Sequence, residues 1–442
     1  MFAIQDDTRT LHALVNSIHQ ARRMTDALFA LVRPDSLYER PIPERHRLVF
    51  YIGHLEAFDW NLLKSGLPGL RPFHEAFDRL FAFGIDPVDG GLPSDQPMDW
   101  PSLEEVHSYA AQVRQALDLQ LETALAGAPS HSSVPLPLLL NVALEHRLMH
   151  AETLAYLLHQ LPFERKIRQE DAPVNASGRP PLEMREIPPG IATLGLSRED
   201  PAFGWDNEYD AHQVSVPAFA IDACKVTNRQ YLEFLEAGGY QDQSLWSAAG
   251  WSWVTAEHIS HPCFWEKRDG AWYYRGMFDR MPLPLDWPVY VSHTEAGAYA
   301  RWAGKSLPAE AEWHRAAYGA PQGPERAYPW GFEAPAPEHG YLDFARWDPA
   351  PVHAFPQSAS AFGVLGLLGN GWEWTSTVFA PFAGFEPFPF YRGYSANFFD
   401  GLHYVMKGGS TRTSACMLRR SFRNWFQAHY PYVYAGFRCV SR

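Results

Sequence analysis

Apolar residues recur at three- and four-residue spacing through four stretches of this chain, 8–32, 45–65, 102–127 and 136–161, and then the pattern stops. That period marks helices buried along one face. Four of them in succession predict a four-helix bundle over residues 1–162. Pro43, Pro101, Pro135 and Pro137 stand near the predicted helix starts, where a missing N–H costs little. Ser102, with Glu105 three residues later, has the form of a capping box. The connection 66–100 is long and rich in Gly, Pro and Asp.

Residues 163–192 are charged, rich in Pro and Gly and weakly periodic, and read as a linker. From 193 to 442 short alternations such as HQVSVPAFAID at 212–222 replace the helical period, and helices are expected only at 227–239, 293–305 and 307–319. A long, loop-rich, aromatic-rich region of this kind generally carries a site. The 442 residues exceed what one core holds, in keeping with this division.

The net charge of −13, from 37 basic and 50 acidic residues, argues against a nucleic-acid partner and disfavours an anionic membrane surface. The N-terminus lacks the basic-then-apolar order of a signal peptide, and no apolar run approaches the ~20 residues that span a bilayer. A cytoplasmic protein is expected. Cys224, Cys263, Cys416 and Cys439 form no CxxC and read as buried thiols.

Residues 144–152 read LEHRLMHAE. On a helix, His146 and His150 share a face with their Cβ atoms ~6 Å apart. Two ring nitrogens can then reach one ion, with His54, in the predicted helix FYIGHLEAFDW, as the candidate third ligand. Neutral imidazoles suit iron, zinc, copper or nickel. The same spacing also fits histidines that are hydrogen-bonded in a core, and spacing alone leaves both readings open. Glu152, Glu56 and Asp59 are read by default as solvated helix residues.

The C-terminal half resembles the formylglycine-generating-enzyme-like (sulfatase-modifying-factor) domain, on KVTNRQYLEFL at 225–235, PVYVSHTEAGAYARWAGKSLPAEAEWHRAA at 288–317, GLLGNGWEWTST at 366–377, YVMKGGS at 404–410, RRSFRNW at 419–425 and AGFRCV at 435–440. The resemblance implies a loop-heavy α+β fold of the C-type-lectin-like kind, in which calcium is often carried. The cysteine pair of true formylglycine-generating enzymes is missing. Thr413 and Leu418 stand at its positions and Cys416 lies between them. The first half resembles the DinB-like bundle, whose metal is held by three histidines, here His54, His146 and His150. A DinB-like bundle followed by this domain is the arrangement of the ergothioneine-biosynthesis sulfoxide synthases and their selenoneine relatives.

That resemblance implies Fe(II), O2, hercynine and a sulfur or selenium donor, joined at the imidazole C2 of hercynine. It implies a tyrosine proton donor on the loop after GNGWEWT, Tyr391 first and Tyr394 second. Asn424 and Trp425 of the RNW motif should line the hercynine pocket, Trp425 through a cation–π contact to a quaternary ammonium. Arg423, Phe426 and Met149 are further candidates for substrate contact, while Trp372, Trp374, Gly369 and Asn370 look structural.

The chain also departs from the family. Met149 replaces the usual glutamine before the last histidine. SDQPMDWPS at 94–102 has no arginine where enzymes using γ-glutamylcysteine carry an arginine-rich segment, and Phe426 stands where an acidic residue helps bind that donor. These losses predict another donor: cysteine, another thiol, or an uncharged selenosugar. The rival readings are a metal-dependent DinB-like thiol-transferase, a ligand-binding module without chemistry, and formylglycine formation.

Overall fold

The computed structural model describes residues 7–67, 69–83, 91–127, 134–171, 174 and 179–442, without the side chains of 7–10. Parts of the expected 66–100 connection and of the expected linker lie outside them. The chain divides into two compact units, Met1–Gln169 and Glu170–Arg442.

The first unit contains α1 (Asp7–Phe29), α2 (Leu48–Leu63), α3 (Glu75–Phe83), α4 (Leu103–Leu125) and α5 (Leu136–Gln160). The helix α1 packs on α5 and α4, and α2 packs on the same two, so the four long helices close a ring. The capping box forms at the start of α4: Ser102 Oγ accepts from Glu105 N–H, and the Glu105 carboxylate accepts from Ser102 N–H at 2.9 Å. The helix α3 lies inside the stretch read as a connection. Nine residues give too few turns for the period to stand out from a loop.

In α2 every residue is buried except Phe58 and Asn61, which are half-buried. It therefore carries His54, Glu56 and Asp59 into the interior, where polar groups need partners.

The second unit contains β1 (Met184–Ile187), β2 (Gly190–Leu194), β3 (His212–Val216), β4 (Phe219–Asp222), α6 (Asn228–Glu236), α7 (Ala248–Ala256), β5 (Trp265–Arg268), β6 (Ala271–Arg275), β7 (Arg280–Pro282), α8 (His293–Trp302), α9 (Glu310–Tyr318), β8 (Gly371–Val378), β9 (His403–Gly409), β10 (Asn424–Gln427), β11 (Ala435–Gly436) and β12 (Val440–Ser441). Its largest sheet has the order β10-β9-β8-β11, with β11 parallel to β8 and the other pairs antiparallel. Smaller sheets are β1-β4-β12, β2-β3 and β5-β6-β7. The alternating stretch 212–222 is two strands, divided at Pro217. The helix α9 buries Trp313, Ala316 and Ala317 against Ile187, Val216, Phe219 and Leu367.

The stretch read as a linker is not wholly one. Residues 163–165 form a turn of the first unit, and β1 with the start of β2 belongs to the second. Met184–Ile187 pairs with β4 and buries Ile187, a contact made with residues some thirty positions on and so invisible locally. Among the described residues no helix is long and apolar enough to cross a membrane.

Candidate functional site

His54, His146 and His150 converge inside the first unit, each offering a ligand atom within 4.8 Å of the others. His54 Nδ1 donates to the Phe81 carbonyl at 2.7 Å, which leaves its Nε2 as a lone pair facing the cluster. That Nε2 lies 3.3 Å from His150 Nε2. With metal–nitrogen bonds of ~2.0–2.1 Å, two ligands at a right or tetrahedral angle stand about 2.9–3.4 Å apart, so the pair fits one ion. Burial lowers all three imidazoles, His54 to about 4 and the other two well below their ordinary value. At neutral pH they are neutral, the form that binds a metal.

Aromatic packing sets the rings. Phe58 stacks flat on His146, centroids 3.4 Å apart, and Phe50 stacks on His54 at 4.7 Å. His150 Nδ1 is buried without a hydrogen-bond partner among the described residues, so packing beside Tyr51 orients that ring. A Cβ on Gly53 would lie 2.4 Å from the Phe81 ring, so glycine lets α3 come close enough to bring the Phe81 carbonyl to His54. Met149 stands half-buried between the two histidines of α5, and Glu152 is half-buried beyond them.

Glu56 and Asp59 are not solvated. Both are 1 % exposed and receive Arg147, at 3.0 Å and 2.7 Å. Arg114 adds a second bond to Glu56 at 2.8 Å and reaches Asp26. Burial opposes ionisation of Glu56, but Arg147 and Arg114 outweigh it and hold the carboxyl down at about 2. The correction follows from α2 having no open face, which forces its acids into ion pairs.

The arginine-free segment 94–102 is held by an acid. Asp95, 5 % exposed, accepts from Arg47 at 3.0 Å and Trp100 Nε1 at 2.6 Å, and from Arg40. Trp100 then packs against Phe50, the ring stacked on His54.

In the second unit Tyr391 and Tyr394 cluster with Trp205, and Tyr394 stacks on it at 3.8 Å. Burial, reinforced by Asp206, pushes Tyr391 up to about 12. Trp425 lies at Tyr394's edge, 5.4 Å away, and Phe379 covers one of its faces at 4.2 Å. The strand alternation of β10 separates the candidates: Asn424 and Phe426 alternate with Trp425 along the strand, and Phe426 stacks on Tyr430 on the other face. Asn424 Oδ1 accepts from Trp425 N–H. Arg423, expected to touch substrate, is 2 % exposed and bonded to Glu310 at 3.1 Å and to the Ala380 carbonyl, so it anchors the loop. Thr413 and Leu418 are buried, Cys416 is exposed, and none of the cysteines is in a disulfide.

The turn 205–208 holds these pieces together. Asp206 accepts from Ser395 Oγ, and Glu208 accepts from Arg419 at 2.8 Å and Ser421 at 2.6 Å. Its sequence, WDNE, carries no motif, and only its density of polar residues beside an aromatic hints at it. The expected structural residues are indeed internal: Trp374 Nε1 donates to the Val291 carbonyl, and Asn370, at φ 58°, bonds both backbone groups of Ala350.

Residues 170–442 match the sulfatase-modifying factor enzyme 1-like domain, and residues 17–154 match the DinB superfamily. The hercynine oxygenase of Mycobacterium tuberculosis is 35% identical over 382 residues, 84% of this chain and 84% of the relative. That of Mycolicibacterium smegmatis is 36% identical, over 91% of this chain and 92% of the relative. Ergothioneine biosynthesis protein 1 of Neurospora crassa is 29% identical, over 92% of this chain and 55% of its own length. The chain is an oxidoreductase and belongs to the ergothioneine sulfoxide synthase-like family, the group of the hercynine oxygenases.

Proposed function

We propose that this protein is a non-haem iron, O2-dependent enzyme that joins sulfur or selenium to the imidazole C2 of hercynine. The observation that carries the reading is the trio of neutral imidazoles, within 4.8 Å of one another, in a chain whose relatives along most of its length are named hercynine oxygenases. His54, His146 and His150 would hold ferrous iron, which when bound supplies open positions where substrate, donor and O2 meet. The Phe81 carbonyl fixes the His54 tautomer, and Phe58 and Phe50 keep water from the rings.

In the second unit Tyr391 keeps its proton at neutral pH, since burial raises it to about 12, and acts as proton donor. Tyr394, fixed on Trp205, is the second choice. Trp425 contributes to the hercynine pocket as a π-surface for the trimethylammonium group, and Asn424, at the edge where β10 begins, reaches it only as a hydrogen-bonding amide.

The donor is not γ-glutamylcysteine. The segment 94–102 carries no arginine, its Asp95 engages the neighbouring Arg40 and Arg47, and Phe426 packs on Tyr430 where a donor amine would need a carboxylate. Cysteine, another thiol or an uncharged selenosugar fits better. The test is anaerobic iron loading followed by aerobic turnover of hercynine with cysteine, γ-glutamylcysteine and a 1-selenosugar side by side. Product from γ-glutamylcysteine alone would overturn the donor reading. A zinc-only protein inert to O2 with every donor would overturn the whole, and favour a thiol-transferase.

A further inference from the structure

The loop that carries Tyr391 and Tyr394 has little backbone to hold it. Between β8 and β9 the stretch 379–402 is rich in Pro, Gly and Phe and contains no strand or α-helix. Its backbone–backbone bonds over 382–399 run within the loop, among them Tyr391 N–H to the Phe388 carbonyl at 3.0 Å and Tyr394 N–H to the Tyr391 carbonyl at 3.3 Å. A loop of this kind takes its position from side chains.

Two contacts with the turn 205–208 supply it. Tyr394 stacks on Trp205 at 3.8 Å, and Ser395, the next residue, donates its Oγ proton to Asp206 Oδ1 at 2.5 Å. The Phe388 N–H also acts on the Asp206 carboxyl, so the acid bears on the loop on both sides of Tyr391. Its charge reaches the Tyr391 phenol as well, reinforcing the effect of burial there. Asp206 and Ser395 are 1 % and 0 % exposed. A hydroxyl-to-carboxylate bond in so dry a place is strong, and a carboxyl buried without it would be costly.

The turn itself is fixed from below. Glu208 accepts from Trp205 N–H at 2.9 Å, from Arg419 at 2.8 Å and from Ser421 at 2.6 Å. Arg419 and Ser421 lead into β10, the strand of Trp425. The tyrosine loop is thus tied through Asp206 and Glu208 to the strand that carries the π-surface for substrate.

We propose that Asp206 is the positioning residue of Tyr391: its carboxyl clamps the loop 388–395 onto the turn 205–208 and holds the phenol in register with Trp425. This rests on the reading of Tyr391 as proton donor.

The test measures kcat and KM for hercynine in the iron-loaded full-length protein, with the fastest of the three donors named above. Asp206→Ala should lower kcat about 10–100-fold, as a misplaced proton donor does, and move KM by no more than about threefold. Asp206→Asn keeps an oxygen acceptor for Ser395 and should retain about a third or more of the turnover. In a Tyr391→Phe background Asp206→Ala should change kcat by less than about twofold, because the group it positions is already gone. Crystals of Asp206→Ala should show the loop 388–395 displaced from Trp205. If that variant does not fold, Ser395→Ala removes the same bond from the other side and takes its place in each comparison. Loss of activity in Tyr391→Phe with none in Asp206→Ala overturns this inference alone, as does an equal loss from Asp206→Ala in both backgrounds. Full activity in Tyr391→Phe overturns the proton-donor reading and this inference with it.

Discussion

His54 hands its Nδ1 proton to the carbonyl of Phe81 at 2.7 Å, so a residue on α2 takes its orientation from α3, a helix outside the ring of four. The same Phe81 presses its ring on Gly53. One residue thus sets both the depth of α3 and the tautomer of an imidazole.

Gly53→Ala places a methyl 2.4 Å from that ring, and α3 must retreat. The expected loss is about 1–3 kcal/mol of stability from overpacking. Iron(II) affinity should fall about 10–100-fold as the Phe81 carbonyl leaves His54. Chelator competition under anaerobic conditions measures the second effect. Unchanged affinity in a folded variant would show that the Phe81 bond does not tune the histidine.

Arg147→Met strands the buried Asp59, leaves Glu56 with Arg114 alone, and should cost about 3–5 kcal/mol. Adding Glu56→Gln and Asp59→Asn should recover most of the loss, because the penalty is uncompensated charge. Urea unfolding of both variants decides it. A triple variant no more stable than the single would place the cost in packing instead.

Tyr391→Phe should lower the turnover number by about 10²–10⁴ with little change in the KM for hercynine, as loss of a proton donor does. Tyr394→Phe should keep most activity, its ring still stacking on Trp205. The reverse ranking would transfer the role to Tyr394.

Burial pushes the Asp348 carboxyl up to about 6. Its folded value exceeds the unfolded one, so the stabilisation is complete below about 4 and is lost as pH rises through about 6. Relative to Asp348→Asn, the wild type should therefore lose about 2 kcal/mol between pH 4 and pH 7. Urea midpoints across that range test it, and a constant difference would mean Asp348 titrates normally.

Much of this was legible from residue spacing. The four long helices follow from their period, the capping box from Ser102 and Glu105, and the histidine pair from four-residue spacing. What failed to show depended on contacts distant in sequence. The polar residues of α2 look solvated until its burial on every side is known, and then Glu56 and Asp59 must be ion-paired. Trp425 of the RNW motif and Phe426 just after it look like one pocket until strand alternation sends them apart. Arg423 looks like a substrate cation until Glu310, over a hundred positions earlier, is found holding it. The turn 205–208 had no signal because its work is done by partners from 395 to 423.

Because α2 keeps almost no surface for solvent, it has no reason to hold its shape alone, and His54 meets His150 only after 96 further residues exist to build α5. A chain still emerging from the ribosome therefore offers passing cations single, floppy imidazoles and no chelate. The chelating geometry is thus a property of the finished bundle, and no segment short of α5 can reproduce it.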